Sequence, residues 1–211
     1  MAHPRVGVLS LQGDFARHGA ALAALGAEPV RISRPEHLRD LDALIVPGGE
    51  STTILRLLEA TGLRAPLEAF VKRGPVLGTC AGLVLLAKEA GELPAPTLGL
   101  LDVSVERNAY GRQVDSFSCV LEVPALGGPF DAVFIRAPRI RRVGPDVEVV
   151  ARAADGEPVA VRAGHVAGLA FHPELTPDRR FHRWFLAEVA GLALPAERAS
   201  APAERQGGGR P

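Results

Sequence analysis

Residues 75–82, Pro75-Val76-Leu77-Gly78-Thr79-Cys80-Ala81-Gly82, decide the fold of this 211-residue chain. A short apolar run ends in a cysteine with a glycine two positions before it and another two positions after it. This is the layout of a nucleophile elbow, a tight turn from a strand into a helix. Side chains at the two glycine positions would clash with neighbouring backbone, so the pattern predicts a strained turn followed by a helix over Ala81–Ala90. The turn would present the Cys80 thiol at the start of that helix, where the helix dipole favours the thiolate.

The same order of strand, loop and helix occurs twice more in the N-terminal half. One unit runs from Ala43–Pro47 through Gly48-Gly49-Glu50-Ser51 into a helical stretch that Ser51 or Thr52 is expected to cap. The other runs from Arg5–Leu11 through Gln12-Gly13-Asp14 into a helix over Phe15–Leu25. Strands that alternate with helices predict an α/β fold with a mostly parallel sheet, flanked by helices on both faces.

The chain changes character at about Leu100, after which strand-like segments dominate. We predict that these strands extend the sheet and add antiparallel pairs, at Asp102–Val105, Val114–Val123, Ala132–Ile135, Val147–Ala153, Pro158–Arg162 and His165–Phe171. A last amphipathic helix is predicted at about Asp178–Ala190, with Phe181, Trp184, Phe185 and Val189 facing inward. Residues 1–191 are predicted to form one domain, and residues 192–211, which are poor in core residues, a disordered tail.

The bulk composition argues against several classes of partner. Lys and Arg together number 24, as do Asp and Glu, so no net field would attract nucleic acid. No apolar stretch approaches the roughly 20 residues that a membrane span needs, and the N-terminus lacks a signal pattern. We therefore expect a soluble, cytoplasmic protein. Two cysteines, Cys80 and Cys119, resemble neither a disulfide framework nor a metal cluster and are consistent with a catalytic role for one of them.

A thiolate nucleophile needs a base, and His172 is the best placed of six histidines. It follows the apolar segment Val166–Phe171, at the end of a strand where the active-site crevice of an α/β protein lies. Glu174 follows two residues later and would reach the imidazole if the segment is extended. Taken singly, His172 is more simply explained as a polar strand end that meets solvent, and Glu174 as an acid near the start of the last helix. The three roles of Cys, His and Glu require one another, however, so the combination favours catalysis.

The other histidines and Cys119 are expected to be structural or exposed. His18 would lie on the exposed face of the first helix, and His182 would face outward from the last one. His3 lies near the terminus and His165 in a Gly-His turn. Cys119 lies mid-strand without an elbow, so core packing is its expected role.

The double-glycine loop is the second candidate for a chemical role. An ordinary strand-to-helix turn explains Gly48-Gly49-Glu50-Ser51. The functional alternative is that the Gly49 N–H faces the oxyanion of a tetrahedral intermediate, opposite the Ala81 N–H, with Glu50 and Ser51 beside the charged end of the substrate.

Three segments together, Pro47–Thr53, Gly78–Gly82 and Phe171–Glu174, resemble the triad-type, or class I, glutamine amidotransferases. Further segments resemble the glutaminase subunits of pyridoxal 5'-phosphate synthase complexes. These are Leu11-Gln12-Gly13, the long block Val105–Phe117 and Phe134–Pro138. The resemblance runs in order from about Val6 to Val189 and implies a single three-layer, flavodoxin-like α/β domain.

The resemblance also implies the roles of individual residues. The catalytic triad would be Cys80, His172 and Glu174, and Gln12 would lie near the oxyanion loop and the bound L-glutamine. The other residues that would recognise L-glutamine are Gly49, Glu50, Ser51, Arg107, Ile135 and Arg136. The α-carboxylate of glutamine needs a cation such as Arg107 or Arg136.

The implied activity is hydrolysis of glutamine, with no metal or cofactor on this chain. The ammonia would pass to a separate synthase subunit, which makes pyridoxal 5'-phosphate from ribose 5-phosphate and glyceraldehyde 3-phosphate in a large hetero-oligomer. Two alternatives stay open: a free-standing cysteine hydrolase of γ-glutamyl or other amides, and a non-catalytic regulatory subunit. Because the pair Gly48-Gly49 permits a peptide flip, docking of the partner could activate the oxyanion loop.

Overall fold

The computed structural model describes residues 3–107 and 116–195. In chain order its strands are β1 (Arg5–Leu9), β2 (Glu28–Ile32), β3 (Ala43–Val46), β4 (Val76–Thr79), β5 (Ala87–Glu89), β6 (Leu101–Glu106), β7 (Ser116–Val123), β8 (Gly128–Ile135), β9 (Arg139–Val143), β10 (Glu148–Arg152), β11 (Pro158–Ala163) and β12 (Val166–Leu169). The helices are α1 (Phe15–Ala24), α2 (Ser51–Ala60), α3 (Arg64–Val71), α4 (Ala81–Leu86) and α5 (Arg180–Trp184). A π-helical turn, Phe185–Val189, continues α5, and short 3₁₀ turns cover Pro35–Leu38, Pro124–Leu126 and Pro173–Leu175.

The central sheet has seven strands in the order β10-β11-β12-β4-β3-β1-β2. The five from β12 to β2 are parallel, and β10 and β11 add an antiparallel edge. Every residue of β3, β4 and β12 is buried, so both faces of the sheet are covered at its centre. This confirms the predicted α/β fold with a mostly parallel sheet.

The sequence predicted that the later strands extend this sheet, but not all of them do. Only β10, β11 and β12 join it, whereas β5, β6 and β9 form a three-stranded sheet and β7 and β8 an antiparallel ribbon. Strand β9 lies in a segment where no strand was predicted. Two parts of the predictions lie outside the described residues: positions 114 and 115 of the predicted strand Val114–Val123, and positions 196–211 of the predicted tail.

Two helices differ from their predicted lengths. The helix that follows Cys80 ends at Leu86 rather than Ala90, because residues 87–89 pair with β6, Ala87 opposite Leu101 and Glu89 opposite Ser104. The last helix begins at Arg180 rather than Asp178, whose carboxylate instead accepts the backbone N–H of Arg180. In the part of the chain that the structure describes, no helix is both long and apolar enough to cross a membrane.

A cluster of aromatic rings attaches the β7–β8 ribbon and α5 to the end of β12. Phe171 is fully buried, and its ring centroid lies 5.5 Å from that of Phe134 on β8 and 5.1 Å from that of Phe181 on α5. Phe130 and Phe181 meet edge to face at 4.8 Å. Such contacts add to the free energy of burial and restrict orientation. The backbone just before His172 is therefore held from two sides.

Close approach of backbone fixes the turn between β4 and α4. A Cβ on Gly82 would lie 1.9 Å from the carbonyl oxygen of Val46 on β3, and one on Gly78 would lie 2.6 Å from the backbone of Gly82. Cys80 between them has φ 49° and ψ −107°, a conformation that is costly for a residue with a side chain. The predicted steric need for the two glycines is confirmed.

We expect Gly82→Ala to lower the free energy of unfolding by at least 1–3 kcal/mol, roughly the cost of overpacking, because the added methyl group meets backbone that cannot move aside. Gly19→Ala in α1 is the matched control, since its Cβ would lie 3.7 Å from Pro29 in ordinary contact. Helix propensity should raise the stability of that variant by up to about 1 kcal/mol. Urea denaturation of both variants measures the difference, and equal midpoints would contradict the expectation.

Candidate active site

The cleft lies at the carboxyl ends of the parallel strands, where the loops after β1, β3, β4 and β12 meet. Its cavity has a volume of about 220 Å³, which suits a ligand below the drug-sized class. The residues that line it are Gly13, Asp14, Gly48, Gly49, Glu50, Ser51, Cys80, Ala81, Val84, Arg107, Ile135, Arg136, Pro138 and His172. Gln12 and Glu174 do not line the cavity, but they hydrogen-bond to Glu50 and His172, which do.

Cys80 projects its sulfur into this cleft from the strained elbow. Its backbone N–H donates to the carbonyl of Leu169 at 2.8 Å, which fixes the turn to the end of β12. Its sulfur lies 3.7 Å from the carbonyl oxygen of Ile135 on the ribbon. The residue is only 6% exposed and lines the cavity, so the cavity gives access to the thiol.

His172 and Glu174 come together through a turn and not through an extended segment. His172 precedes the 3₁₀ turn Pro173–Leu175, and its Nδ1 lies 2.7 Å from Oε1 of Glu174. The expected contact is present, but the geometric reason given for it was wrong. Because Nδ1 is engaged by the carboxylate, Nε2 is left for the sulfur of Cys80, whose interaction with His172 raises the pKa of that ring.

Two opposing effects determine the pKa of His172. Burial alone would lower the pKa, but the hydrogen bonds to Cys80 and Glu174 and the charges of those groups raise it to about 10. An imidazolium is therefore stabilised beside the sulfur at neutral pH. Such a neighbour favours the thiolate, which is the nucleophilic form of cysteine.

His18 and His182 are buried, and the expectation that they face solvent was wrong. His18 is 0% exposed on α1 and His182 is 1% exposed on α5. His18 Nε2 lies 3.3 Å from Oε2 of Glu174, and its Nδ1 lies 3.0 Å from Nε2 of His182. Four side chains therefore form a line from the cleft into the protein interior, in the order His172, Glu174, His18 and His182. Helical spacing contained the missed signal, because His18 shares its buried face with Ala21 and Leu22.

The loop after β1 supports the double-glycine loop. The side-chain oxygen of Gln12 accepts the backbone N–H of Glu50 at 2.9 Å. A Cβ on Gly13 would lie 1.8 Å from the carbonyl oxygen of Gly48, so the two loops touch through bare backbone. Gly49 has φ 151°, which a side chain rarely adopts. The loop geometry therefore depends on glycine at positions 13 and 49 and on the Gln12 side-chain amide.

Glu50 caps α2, where Ser51 or Thr52 was expected to do so. Its carboxylate accepts the backbone N–H groups of Thr52 and Thr53 at 3.0 and 2.7 Å, and both of their hydroxyl groups as well. Burial would raise the pKa of Glu50, but these hydrogen bonds lower it to about 2. The carboxylate is thus ionised and fully occupied by the start of the helix.

Arg107 and Arg136, which the resemblance implies for glutamine recognition, both line the cavity. Arg107 follows β6, and its Nη1 donates to the carbonyl of Glu92 at 2.9 Å. Arg136 follows β8, is exposed and has φ 43°. Ser51, at the start of α2, is 7% exposed and lines the same cavity. The cleft therefore has a thiol at its base and cations at its rim.

The remaining candidates lie outside this cleft. Cys119 is half-buried on β7, packs against the core and does not line the cavity. Burial, with the charge of Asp155, raises its thiol pKa, which makes it a poor nucleophile. Within residues 3–107 and 116–195, His, Cys, Asp and Glu side chains form no cluster able to hold a metal ion.

Comparison with known proteins gives consistent matches over most of the chain. The sequence model of a family described as the SNO glutamine amidotransferase family matches residues 8–191. A protein named pyridoxal 5'-phosphate synthase subunit PdxT, from Mycolicibacterium vanbaalenii, is 53% identical over 197 residues, which cover 90% of this chain and 100% of that protein. A protein of the same name from Pelotomaculum thermopropionicum is 54% identical over 184 residues, covering 86% and 93%.

Solved structures agree with these matches. A crystal structure of a glutamine amidotransferase is similar with a TM-score of 0.82 and 53% identity, covering 89% of this chain and 99% of the other. The structure of PurLQS from Thermotoga maritima is similar with a TM-score of 0.67 at 20% identity, covering 89% and 100%, which shows likeness of fold alone.

The buried histidines predict a loss of stability in acid. Burial, and then the charge of Arg179, lower the pKa of His182 to about 4, from 6.5 in the unfolded chain. The unfolded chain binds more protons between these values, so the free energy of unfolding should fall as the pH drops from about 6.5 to 4. The slope should be up to about 1.4 kcal/mol per pH unit for this histidine. His172 adds nothing in this window, because its raised pKa acts between about 6.5 and 10.

Urea denaturation from pH 7 to pH 4 measures this slope, which should be shallower for His182→Leu than for the parent. His37→Leu, at a partly buried histidine in the Pro35–Leu38 turn, is the control. Parallel pH profiles for the parent and His182→Leu would disprove the assignment.

Proposed function

The chain belongs to the SNO glutamine amidotransferase family, and on that premise we propose that it hydrolyses the side-chain amide of L-glutamine to L-glutamate and ammonia. One observation carries the proposal. A cysteine on a strained elbow lies beside a histidine that is hydrogen-bonded to a buried carboxylate, at the base of a small cleft. Residues from the loops after β1, β3, β4 and β12 line the cleft, together with residues that follow β6 and β8.

Catalysis begins with attack of the Cys80 thiolate on the amide carbon of glutamine. His172, protonated at Nε2, donates that proton to the departing ammonia, and Glu174 holds the ring through Nδ1. The resulting γ-glutamyl thioester is hydrolysed by a water molecule from which His172 removes a proton. The products are glutamate and the regenerated thiolate–imidazolium pair.

The oxyanion is assigned to backbone N–H groups on either side of the sulfur. The Ala81 amide follows the nucleophile at the start of α4, and the Gly49 amide belongs to the loop that Gln12 supports. Each such donor contributes on the order of 10²-fold or more in rate. Because Glu50 is fully engaged as the cap of α2, its contribution is to hold this loop and not to bind glutamine through its carboxylate.

Glutamine recognition is assigned to the rim. The Arg107 guanidinium binds the α-carboxylate, and the backbone of Ile135 and Arg136 offers carbonyl acceptors to the α-amino group. Ser51 lies beside the same end of the cavity. The arrangement selects an amino acid whose side chain is long enough to bring an amide to Cys80.

The ammonia is proposed to pass to a pyridoxal 5'-phosphate synthase subunit, which would use it with ribose 5-phosphate and glyceraldehyde 3-phosphate in a large hetero-oligomer. This proposal is supported by relatives more than 50% identical that carry the name of a subunit of that synthase. The cytoplasmic location expected from the sequence stays a prediction, as do the domain boundary at residue 191 and the absence of a cofactor.

We expect Cys80→Ala to abolish glutamate release, because no other group in the cleft can form the thioester. The full chain is assayed with glutamine, alone and with the synthase subunit. Cys119→Ala is the matched control and should keep the parent's rate. Residual activity of Cys80→Ala equal to the parent's would disprove the mechanism, and release that the synthase subunit does not raise would remove the proposed activation.

We expect Arg107→Leu to raise the KM for glutamine by about 10- to 100-fold and to change kcat by less than about threefold. A hydrogen bond between charged groups contributes roughly 1.5–3 kcal/mol, and this one forms in the ground state as well as the transition state. Arg56→Leu, on the exposed face of α2, is the control. If Arg107→Leu leaves the KM unchanged, Arg107 does not bind the α-carboxylate of glutamine.

A further inference from the structure

Glu174 carries two carboxylate oxygens in the interior, and the triad uses only one of them. Oε1 is bound by His172 at 2.7 Å. Oε2 is buried, and no described group makes a well-directed hydrogen bond to it. Its polar neighbour is Nε2 of His18 at 3.3 Å, within ion-pair distance but off the ideal line. Leaving an ionised oxygen unpaired in the interior is costly, so a small rotation that completes this bond is favoured.

The surroundings of His18 select one tautomer. If Nε2 carried no proton, its lone pair would face the negative Oε2 at 3.3 Å, which is repulsive. A proton on Nε2 removes that repulsion and can be donated to Oε2, with the Thr79 hydroxyl as a second neighbour at 3.4 Å. Nδ1 of His18 is then an acceptor, and it lies 3.0 Å from Nε2 of His182, which must donate. The donors His182 and His18 therefore form a series that ends at the carboxylate.

Neutrality of His18 is part of this arrangement. Burial, followed by the charges of His182 and His172, holds the pKa of His18 well below its usual value. The ionisable groups facing it are Glu174, His172 and His182, with Arg17 and Arg179 at the surface side of His182. A neutral ring donates a hydrogen bond without cancelling the negative charge of Glu174. That charge stays available to the His172 imidazolium.

We propose that His18 is a positioning residue of the amide hydrolysis, whose Nε2–H holds Oε2 of Glu174 so that Oε1 faces Nδ1 of His172, while His182 fixes the tautomer of His18. The inference rests on the proposed function for its catalytic readout, but its geometric content is independent of the substrate. The triad is thus supported by His18 on α1 and His182 on α5, two residues that are 164 positions apart in the chain.

The test compares His18→Leu, which removes the donor, with His18→Gln, whose amide N–H can replace Nε2–H. In the full chain with the synthase subunit, His18→Leu should lower kcat by about 10- to 100-fold, the range for outer partners of functional histidines. Its KM should stay within about twofold, and His18→Gln should recover a large part of the rate. His182→Leu should lower kcat in the same direction by a smaller factor, and His37→Leu should have no effect.

A second readout needs no glutamine and separates failure of this inference from failure of the proposed function. In a Cys119→Ala background, the rate of Cys80 alkylation by iodoacetamide is followed against pH. The parent should react faster at neutral pH than His18→Leu, with His18→Gln between them. If the glutamine assay gives nothing but this order appears, the positioning role holds while the glutaminase function fails.

Three results would overturn the inference. One is a folded His18→Leu variant with the parent's kcat and alkylation profile. Another is equal loss in His18→Leu and His18→Gln, because packing and not the donor would then matter. If His18→Leu does not fold, His182→Leu and His18→Gln decide, and parental behaviour of His182→Leu would reject the series.

Discussion

The contact between Gly82 and the carbonyl oxygen of Val46 is the constraint on which the site depends. It lets α4 lie directly against the end of β3, and the chain must then turn from β4 into α4 within one residue. Cys80 takes that turn with a positive φ, so its sulfur points out of the core at the carboxyl edge of the sheet. The strain is maintained because packing on both sides leaves no relaxed alternative.

The same edge brings together loops that are distant in the chain. Parallel strands place their carboxyl ends side by side, so the residues after β1, β3, β4 and β12 meet without any local sequence relation. The Phe171 cluster holds the β12 end, and Gln12 holds the double-glycine loop. Rigid support from several elements is what keeps a catalytic geometry within a fraction of an ångström.

Electrostatics completes the site by separating the roles of three histidines. His172 has a raised pKa, which suits its proposed role as the proton carrier. Burial, with the charges of neighbouring histidines at His18 and of Arg179 at His182, lowers the pKa values of His18 and His182, which stay neutral. The proposed roles, an acid at the cleft and a fixed donor behind it, therefore fall to the same type of side chain, and only burial and neighbours differ.

The sequence by itself determined the α/β class, the elbow at Cys80 and the set Cys80, His172 and Glu174, because these follow from local patterns: apolar runs, glycine spacing and a polar strand end. Prediction from the sequence failed where a contact with a distant segment of the chain determines the local structure. The end of α4 at Leu86 depends on pairing with β6, and the separate β7–β8 ribbon depends on the aromatic cluster. The burial of His18 and His182 depends on α1 and α5 meeting over Glu174, because two polar residues become internal only when each supplies the other's hydrogen bond.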